Sequence, residues 1–118
     1  MAYVVTTTHT RPNTGVDFAA TRDSSASWDN DRRVGAANAG IDFALGTLSG
    51  DQLVFTIVVT APDKATYDAF IQEFHVDDSR YEATVKPAYL SDCASRGISI
   101  VVTEKDGDDA AVETFRQD

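Results

Sequence analysis

The sequence lacks the features of disulfide-stabilised, exported and membrane-spanning proteins. Its 118 residues include a single cysteine, Cys93, so no disulfide can form within the chain, and a reducing compartment is expected. No apolar run approaches the roughly 20 residues that a membrane-spanning helix needs. Residues 1–10 have no basic stretch and only a short apolar run, which argues against a signal peptide.

Basic residues are also scarce. The chain has 10 Lys and Arg against 19 Asp and Glu, which gives a formal net charge of -9. Nucleic-acid binding needs basic side chains to displace counterions from phosphates, and anionic membranes attract basic segments, so we expect neither as a partner. The nearest approach to a basic cluster is Arg32-Arg33, which Asp29 and Asp31 neutralise. The acids fall mostly at turns and helix ends, which short Asp side chains favour.

What the sequence does contain is the pattern of one α+β domain covering residues 1–118. With 42% hydrophobic residues, the chain is long enough to bury a single core. Stretches rich in β-branched residues predict strands at 3–10, 41–45, 53–60 and 98–103, and a weak edge strand at 111–115. Turn residues at 49–51 predict a hairpin. The apolar run at 53–60 predicts a central strand with both faces covered or one face in an interface.

Four segments predict helices. The clearest has apolar residues at helical spacing, which are Tyr67, Phe70, Ile71 and Phe74. Asp63 is placed to cap the start of this helix. Two further stretches, 79–85 and 88–96, are also predicted to be helical, with Pro87 interrupting the helix between them and Gly97 ending the second. The weakest segment covers residues 24–37, where glycines predict a short or irregular helix with Asp23-Ser24-Ser25 as its cap.

The order of these elements predicts the fold. Strand, helix, strand, strand, helix, strand is the ferredoxin-like β-α-β-β-α-β arrangement, an antiparallel sheet with helices on one face. This chain adds a helical segment before the last of these strands and a C-terminal tail. Such a sheet leaves its other face open, and we expect a partner, normally a second copy in a homo-oligomer, to cover it.

Motifs for catalysis or metal binding fail to appear. Loops that begin at Asp29 and Asp106 lack the residues that a calcium loop needs at positions five and twelve, although a weak calcium site at 106–109 stays open. Neither His9 nor His75 has further ligands at zinc-like spacing, and His75 is better placed to interact with the end of the preceding helix. Nucleophile-elbow and nucleotide-binding motifs are absent. We expect no catalytic residue, metal or cofactor.

Six residues are candidates for a protein–protein interface, namely Arg11, Pro12, Trp28, Phe55, Ile57 and Val59. Arginine and aromatic residues are enriched in interface cores, and the last three residues lie on the apolar strand at 53–60. Trp28 is set among Ser, Asp and Asn, which supports a core position and a surface position equally. Phe18 is expected to belong to the core.

One stretch resembles a known family. The sequence from Thr8 to Phe18, THTRPNTGVDF, resembles the N-terminal stretch of small uncharacterised proteins of marine tailed phages, particularly cyanophages. Residues 53–56, 65–70 and 96–98 are similar to the family's central strand, its helix and the entry to its last strand. The resemblance covers most of residues 3–103, with Arg11 to Phe18 the specific part, and departs from the family at 21–40.

The resemblance implies a structural protein of a tailed-phage virion, such as a cement, neck or tail component that is assembled in the host cytoplasm and contacts other virion proteins. The family supplies no catalytic motif. An alternative is a small dimeric α+β-barrel enzyme or ligand-binding protein, monooxygenase-like, with His9 or His75 in a deep pocket between helices and sheet. A weaker one is an acidic inhibitor that mimics nucleic acid, although the acids scatter over the loops.

Overall fold

The computed structural model describes residues 1–18, 26–44 and 46–114. The strands are β1 (Tyr3–Thr10), β2 (Asp42–Phe43), β3 (Thr47–Leu48), β4 (Val54–Ala61), β5 (Ser99–Asp106) and β6 (Val112–Glu113). The helices are α1 (Ala26–Asn38), α2 (Lys64–Ile71) and α3 (Lys86–Arg96), with π-helical segments at Gln72–Val76 and Tyr81–Val85. Within the described residues, no helix has the length and apolar character to cross a membrane.

The strands form one antiparallel sheet in the order β2-β4-β1-β5-β6, with β3 also paired to β4. The central strand, β1, pairs over its whole length with β4 on one side and with β5 on the other. Along the sequence, helix α1 lies between β1 and the short strands, and the helical region from α2 to α3 lies between β4 and β5. This strand order confirms the predicted ferredoxin-like fold.

The two faces of the sheet differ in burial and chemistry. Along β1 buried and half-buried residues alternate, and the buried ones, Tyr3, Val5, Thr7 and His9, define the helix-side face. The pairing register gives the opposite face, which we call the open face. Its members are Val4, Thr6, Thr8 and Thr10 of β1, Val54, Thr56, Val58 and Thr60 of β4, and Ser99, Val101, Thr103 and Lys105 of β5.

The helices pack on the sheet and on one another through three clusters of buried side chains. The largest joins Val5 and Val102 of the sheet to the apolar side of the second helix, Tyr67, Phe70, Ile71 and Phe74, which is buried as predicted. A second cluster consists of Trp28, Tyr81 and Val85. The third contains Tyr89, Cys93 and Ile98, with Phe18 packed against it. The predicted cap is also present, since the Asp63 carboxylate accepts a hydrogen bond from the Thr66 amide.

Helix α1 is more regular than predicted. It runs for 13 residues, and the prediction of an irregular helix at 24–37 is wrong for its described part, whereas residues 23–25 lie outside the described residues. The glycine that weakened the prediction serves packing, because a Cβ atom at Gly35 would lie 2.4 Å from Cζ of Phe74. A contact with a distant helix therefore outweighs the low helix propensity of glycine.

Pro87 does not interrupt its helix. It lies in the first turn of α3, where a backbone amide has no partner within the helix and the missing N–H of proline therefore costs little. The chain enters α3 through the π-helical segment Tyr81–Val85. The helical region from Tyr81 to Arg96 thus continues through the proline, and the predicted break is wrong.

Several strand boundaries also differ from the prediction. The strand expected at 41–45 is limited to β2 in its described part, and residue 45 lies outside the described residues. A second short strand, β3, follows it. The strand expected at 98–103 extends to Asp106, because Glu104 is buried and accepts a hydrogen bond from the Tyr3 hydroxyl across the sheet. The final edge strand has two residues, Val112 and Glu113.

The end of α3 provides a test of the backbone conformation. Gly97 has φ 71 and ψ 23, and Ile98 donates to the Cys93 carbonyl at 2.9 Å, which is the expected glycine-terminated helix end. An alanine in this left-handed conformation costs about 1 kcal/mol. We expect Gly97→Ala to lower the free energy of unfolding by about that amount in urea denaturation, because its Cβ strains the backbone.

Gly50→Ala is the matched control. Nothing lies within 4 Å of a Cβ atom at Gly50, and its φ is outside the left-handed region. The same substitution should therefore leave stability close to that of the wild type. Equal losses in both variants would contradict the conformational explanation.

Candidate functional site

A cavity of about 300 Å³ lies between the helix-side face and the helices. Its sheet wall includes Val5, Thr7, Phe55, Ile57 and Val59. Its helix wall includes Arg32 and Arg33 of α1, Tyr67, Phe70 and Ile71 of α2, and His75. Phe43, Ala44 and Gly46 border it from the β2–β3 segment. The lining is thus mainly apolar and aromatic, with a few polar groups, which is the usual composition of a small-molecule site.

Two consecutive arginines of α1 reach this cavity, and Asp29 holds both. Arg32 Nη2 lies 2.6 Å from Asp29 Oδ1, and Arg33 Nε lies 2.9 Å from Asp29 Oδ2. These pairs have the i,i+3 and i,i+4 spacing at which side chains meet on a helix. The Arg32 side chain is 8% exposed and that of Arg33 is 59% exposed. Arg32 is therefore the inner cation and Arg33 the outer one.

Aromatic rings fix the inner arginine further. The Arg32 guanidinium carbon lies 5.0 Å from the ring centroid of Trp28 and 4.9 Å from that of Phe43. Arg33 lies 5.8 Å from the Phe43 ring as well. Guanidinium groups are attracted to aromatic faces at such distances. Phe43 therefore forms the part of the cavity wall that both arginines contact.

The charge on Asp29 is set by two opposing effects. Burial raises its pKa, but the hydrogen bonds and positive charges of Arg32 and Arg33 outweigh burial and hold the pKa of Asp29 below its usual value. Asp29 is consequently ionised at neutral pH and balances one of the two arginines. The sequence predicted that Asp29 and Asp31 together neutralise the two arginines, whereas Asp31 pairs with Arg80 at 3.0 Å.

His75 lies on the wall of the cavity and is 4% exposed. It occupies the last turn of the π-helical segment Gln72–Val76, as its predicted position at a helix end requires. Its ring stacks on Tyr81 with centroids 3.9 Å apart and planes at 14°. Trp28 lies 5.8 Å from the same ring, and its indole Nε1 donates to the Phe74 carbonyl at 3.0 Å. The imidazole therefore has a fixed position.

His9 is buried at the far end of the helix-side face, where it is 3% exposed. Its Nε2 forms a hydrogen bond with the Tyr89 hydroxyl of α3, and the two rings meet edge to face at 5.7 Å. Thr7, two residues earlier, lines the cavity, but His9 does not. Of the two histidines considered for a deep pocket, His75 is the one that borders it.

The six candidate interface residues occupy different places. Trp28 is 2% exposed and belongs to the protomer core. Phe55, Ile57 and Val59 face the cavity. The surface positions are Arg11 and Pro12.

Arg11 and Pro12 stabilise the loop after β1. Arg11 donates to the carbonyls of Gln52 at 2.8 Å and Val16 at 2.6 Å, and its guanidinium lies 4.6 Å from the Phe18 ring centroid. Pro12 borders the end of α3, because a Cβ at Gly97 would lie 3.4 Å from it. These contacts give both residues a structural role within the protomer.

Metal ligands do not come together in the described part of the chain, where no group of three His, Cys, Asp or Glu side chains is suitably placed. The cavity arginines were the residues that sequence reasoning missed. The i,i+3 and i,i+4 spacing of Asp29 with Arg32 and Arg33 indicates that the three side chains meet on one side of a helix. The sequence does not show that this side of the helix faces the sheet.

Comparisons with known proteins support the fold alone. No protein-family model and no curated protein sequence match the chain. A solved structure described as a dimeric ferredoxin-like protein from an uncultured marine organism matches with a TM-score of 0.56 at 11% identity, over 92% of this chain and 97% of that one. A structure from Burkholderia cenocepacia, provisionally described as an amidohydrolase/peptidase, covers 88% of this chain and 26% of that one at 13% identity, with a TM-score of 0.32 that carries no argument. The chain therefore has the fold of the dimeric ferredoxin-like protein.

Proposed function

We propose that this protein binds a small organic molecule in the cavity between its sheet and helices and acts as a homodimer. The observation that carries the proposal is the cavity itself, which combines an apolar and aromatic wall with the convergent polar groups of Arg32 and His75. Its volume of about 300 Å³ suits a compound with one ring and a short substituent. Binding needs none of the catalytic motifs that the sequence lacks.

The side chains of the cavity wall are held in place, which supports a role of the cavity in ligand binding. Ring contacts or ion pairs hold Arg32, Phe43 and His75 in place. Phe55 closes tightly over the β2–β3 segment, since a Cβ atom at Gly46 would lie 2.0 Å from its Cζ. A wall whose side chains are already positioned loses little conformational entropy when a ligand enters.

The open face supports the homodimer. Twelve residues from three strands form it, ten of them Thr or Val at half-buried or exposed positions, and Lys105 is the one charged residue among them. A protein with a net charge of -9 thus keeps a broad sheet surface nearly free of charge. Depletion of charge is typical of the centre of an interface. The neighbour with the same fold is described as dimeric.

Ligand binding is tested with a neutral aromatic probe, 2-phenylethanol, titrated into the protein and followed by amide chemical shifts. We expect shifts at Thr7, Ile57 and Val59, since these residues line the cavity, and none on the open face. Ala44→Phe should weaken binding about tenfold or more, because the added ring enters the exposed rim of the cavity.

Ala94→Phe is the matched control for this titration. Ala94 is exposed on α3 and lines no part of the cavity, so the same added ring should leave binding unchanged. Shifts confined to other surfaces, or equal effects of the two variants, would rule the cavity out as the binding site.

The homodimer is tested by light scattering coupled to size exclusion. The wild type should elute with twice the 12.7 kDa mass of one chain. Val58→Lys should give a monomer, because it buries two unpaired charges, one from each copy, within the open face.

Val34→Lys supplies the control for the dimer. Val34 is 55% exposed on α1, away from the sheet, and the variant should remain dimeric. A monomeric wild type, or a Val58→Lys variant that stays dimeric, would contradict the proposed interface. Far-UV circular dichroism of both variants establishes that each is folded.

A second candidate function is a structural component of a tailed-phage virion. The observation that favours it is the sequence from Arg11 to Phe18, which resembles the marine tailed-phage proteins. The open face, with one charged residue, would then contact other virion proteins or further copies of the chain. Small-molecule binding in the cavity is not required for this role.

The virion candidate is decided by quantitative mass spectrometry of purified particles from a phage that encodes the chain. A structural component should be present at a fixed copy number relative to the major capsid protein. Abundance in infected cells together with absence from the particles would eliminate the virion candidate.

A further inference from the structure

We infer that the ligand of the cavity is an organic monoanion, a small aromatic carboxylate, whose carboxylate binds to Arg32 and Arg33. The inference rests on the proposed function, because it names the chemical class of the molecule that the cavity binds. It follows from the sign of the charges that line the cavity, from the geometry of the two guanidinium groups and from their net charge.

The charges that line the cavity are opposite in sign to those of the protein as a whole. Acidic side chains outnumber basic ones by 19 to 10 in the sequence. Yet the ionisable groups among the described lining residues include Arg32, Arg33 and His75, and no Asp or Glu is among them. An acidic protein thus places only basic groups where a ligand would contact its wall. Such a wall attracts an anion and disfavours a cation.

The geometry suits a planar anion. Guanidinium groups bind carboxylates through paired N–H donors, and a partly buried guanidinium interacts more strongly because the local dielectric is low. Asp29 holds Arg32 and Arg33 from the side at 2.6 and 2.9 Å, so both cations keep their orientation before a ligand arrives. Arg32 is inside the cavity and Arg33 is at its solvent side, so an entering carboxylate meets Arg33 first.

The net charge of this group favours a single negative charge on the ligand. Two arginines and one ionised Asp29 sum to +1. A carboxylate neutralises that charge, whereas a phosphate dianion would leave an uncompensated negative charge in a partly buried site, which is costly.

The remaining residues of the cavity wall favour a ligand that contains an aromatic ring. Phe43 lies against both guanidinium groups, and Phe55, Tyr67 and Phe70 line the cavity beyond it. A ring attached to the carboxylate by a short linker would therefore contact aromatic side chains while its charge stays near the arginines. Aromatic pairs are favourable beyond the area that they bury.

Three probes that share one ring and differ in their polar group test the inference, namely phenylacetate, phenylacetamide and benzyl phosphate. Dissociation constants are measured by isothermal titration or chemical shifts at neutral pH. We expect phenylacetate to bind about tenfold tighter than its neutral amide, because only the anion gains charge-assisted hydrogen bonds. Benzyl phosphate should bind more weakly than phenylacetate.

Arg33→Gln should abolish the preference for phenylacetate over phenylacetamide. Arg33 is mostly exposed, so its loss should not unfold the protein. Arg96→Gln is the matched control, because Arg96 makes the same i,i+4 contact with Asp92, Nε to Oδ1 at 2.9 Å, but lies outside the cavity lining. It should keep the preference. Arg32→Lys should reduce the preference by removing the paired donors of the inner guanidinium.

The outcomes separate the inference from the function on which it rests. Equal affinities for phenylacetate and its amide at the cavity would overturn the carboxylate assignment and leave ligand binding intact. Tighter binding of benzyl phosphate would overturn the monoanion, and a preference that survives in both Arg33→Gln and Arg32→Lys would overturn the role of the arginines. If neither these probes nor 2-phenylethanol bind, both the proposed function and the inference fail.

Discussion

The fold depends on the central position of β1, which is hydrogen-bonded along its whole length to β4 and β5. Because side chains alternate along a strand, this pairing fixes which residues of all three strands point to the helices. A shift of one residue would bring Thr6 and Thr8 into the core and expose Val5 and Thr7. The cavity wall and the nearly uncharged open face are therefore two consequences of one register.

The cavity exists because the helices meet the sheet through separate clusters. Phe70, Phe74 and their neighbours fill one region, and Tyr89 and Cys93 fill another. Trp28 packs against Tyr81 in the second cluster. Arg32 and His75 both contact the Trp28 ring and line the cavity, where they add polar groups to a mainly apolar wall. Polar side chains near a sheet need partners when they are buried, and the aromatic and acidic contacts of Arg32 supply them.

The fold could be predicted where the deciding interactions are local. The helical spacing from Tyr67 to Phe74, the capping carboxylate of Asp63 and the terminal glycine Gly97 depend on residues within a turn or two, and the structure confirms all three. The prediction failed where distant contacts decide. Gly35 weakens a helix in isolation but admits Phe74, and no local pattern reveals that contact.

The candidate site was harder to predict for the same reason. The sequence predicted Phe55, Ile57 and Val59 as interface residues, and only the register shows that they face a cavity. Arg32 and Arg33 looked neutralised in the sequence, because the sequence cannot show which acid pairs with which base. In the structure Asp31 forms an ion pair with Arg80, and the two cavity arginines share the carboxylate of Asp29. The tertiary structure thus decides which acid pairs with which base, and this pairing leaves a net positive charge at the cavity.

The overall acidity of the protein affects how a site of this kind would work. A net charge of -9 repels an approaching anion at long range, whereas Arg33 and Arg32 attract it at contact. Salt screens charges beyond a Debye length of about 8 Å at physiological ionic strength, and contacts at hydrogen-bond distance in a partly buried site are screened much less. Added salt therefore removes more of the repulsion than of the attraction. An anion site on this acidic surface should keep its affinity at ionic strengths that weaken the anion sites of basic proteins.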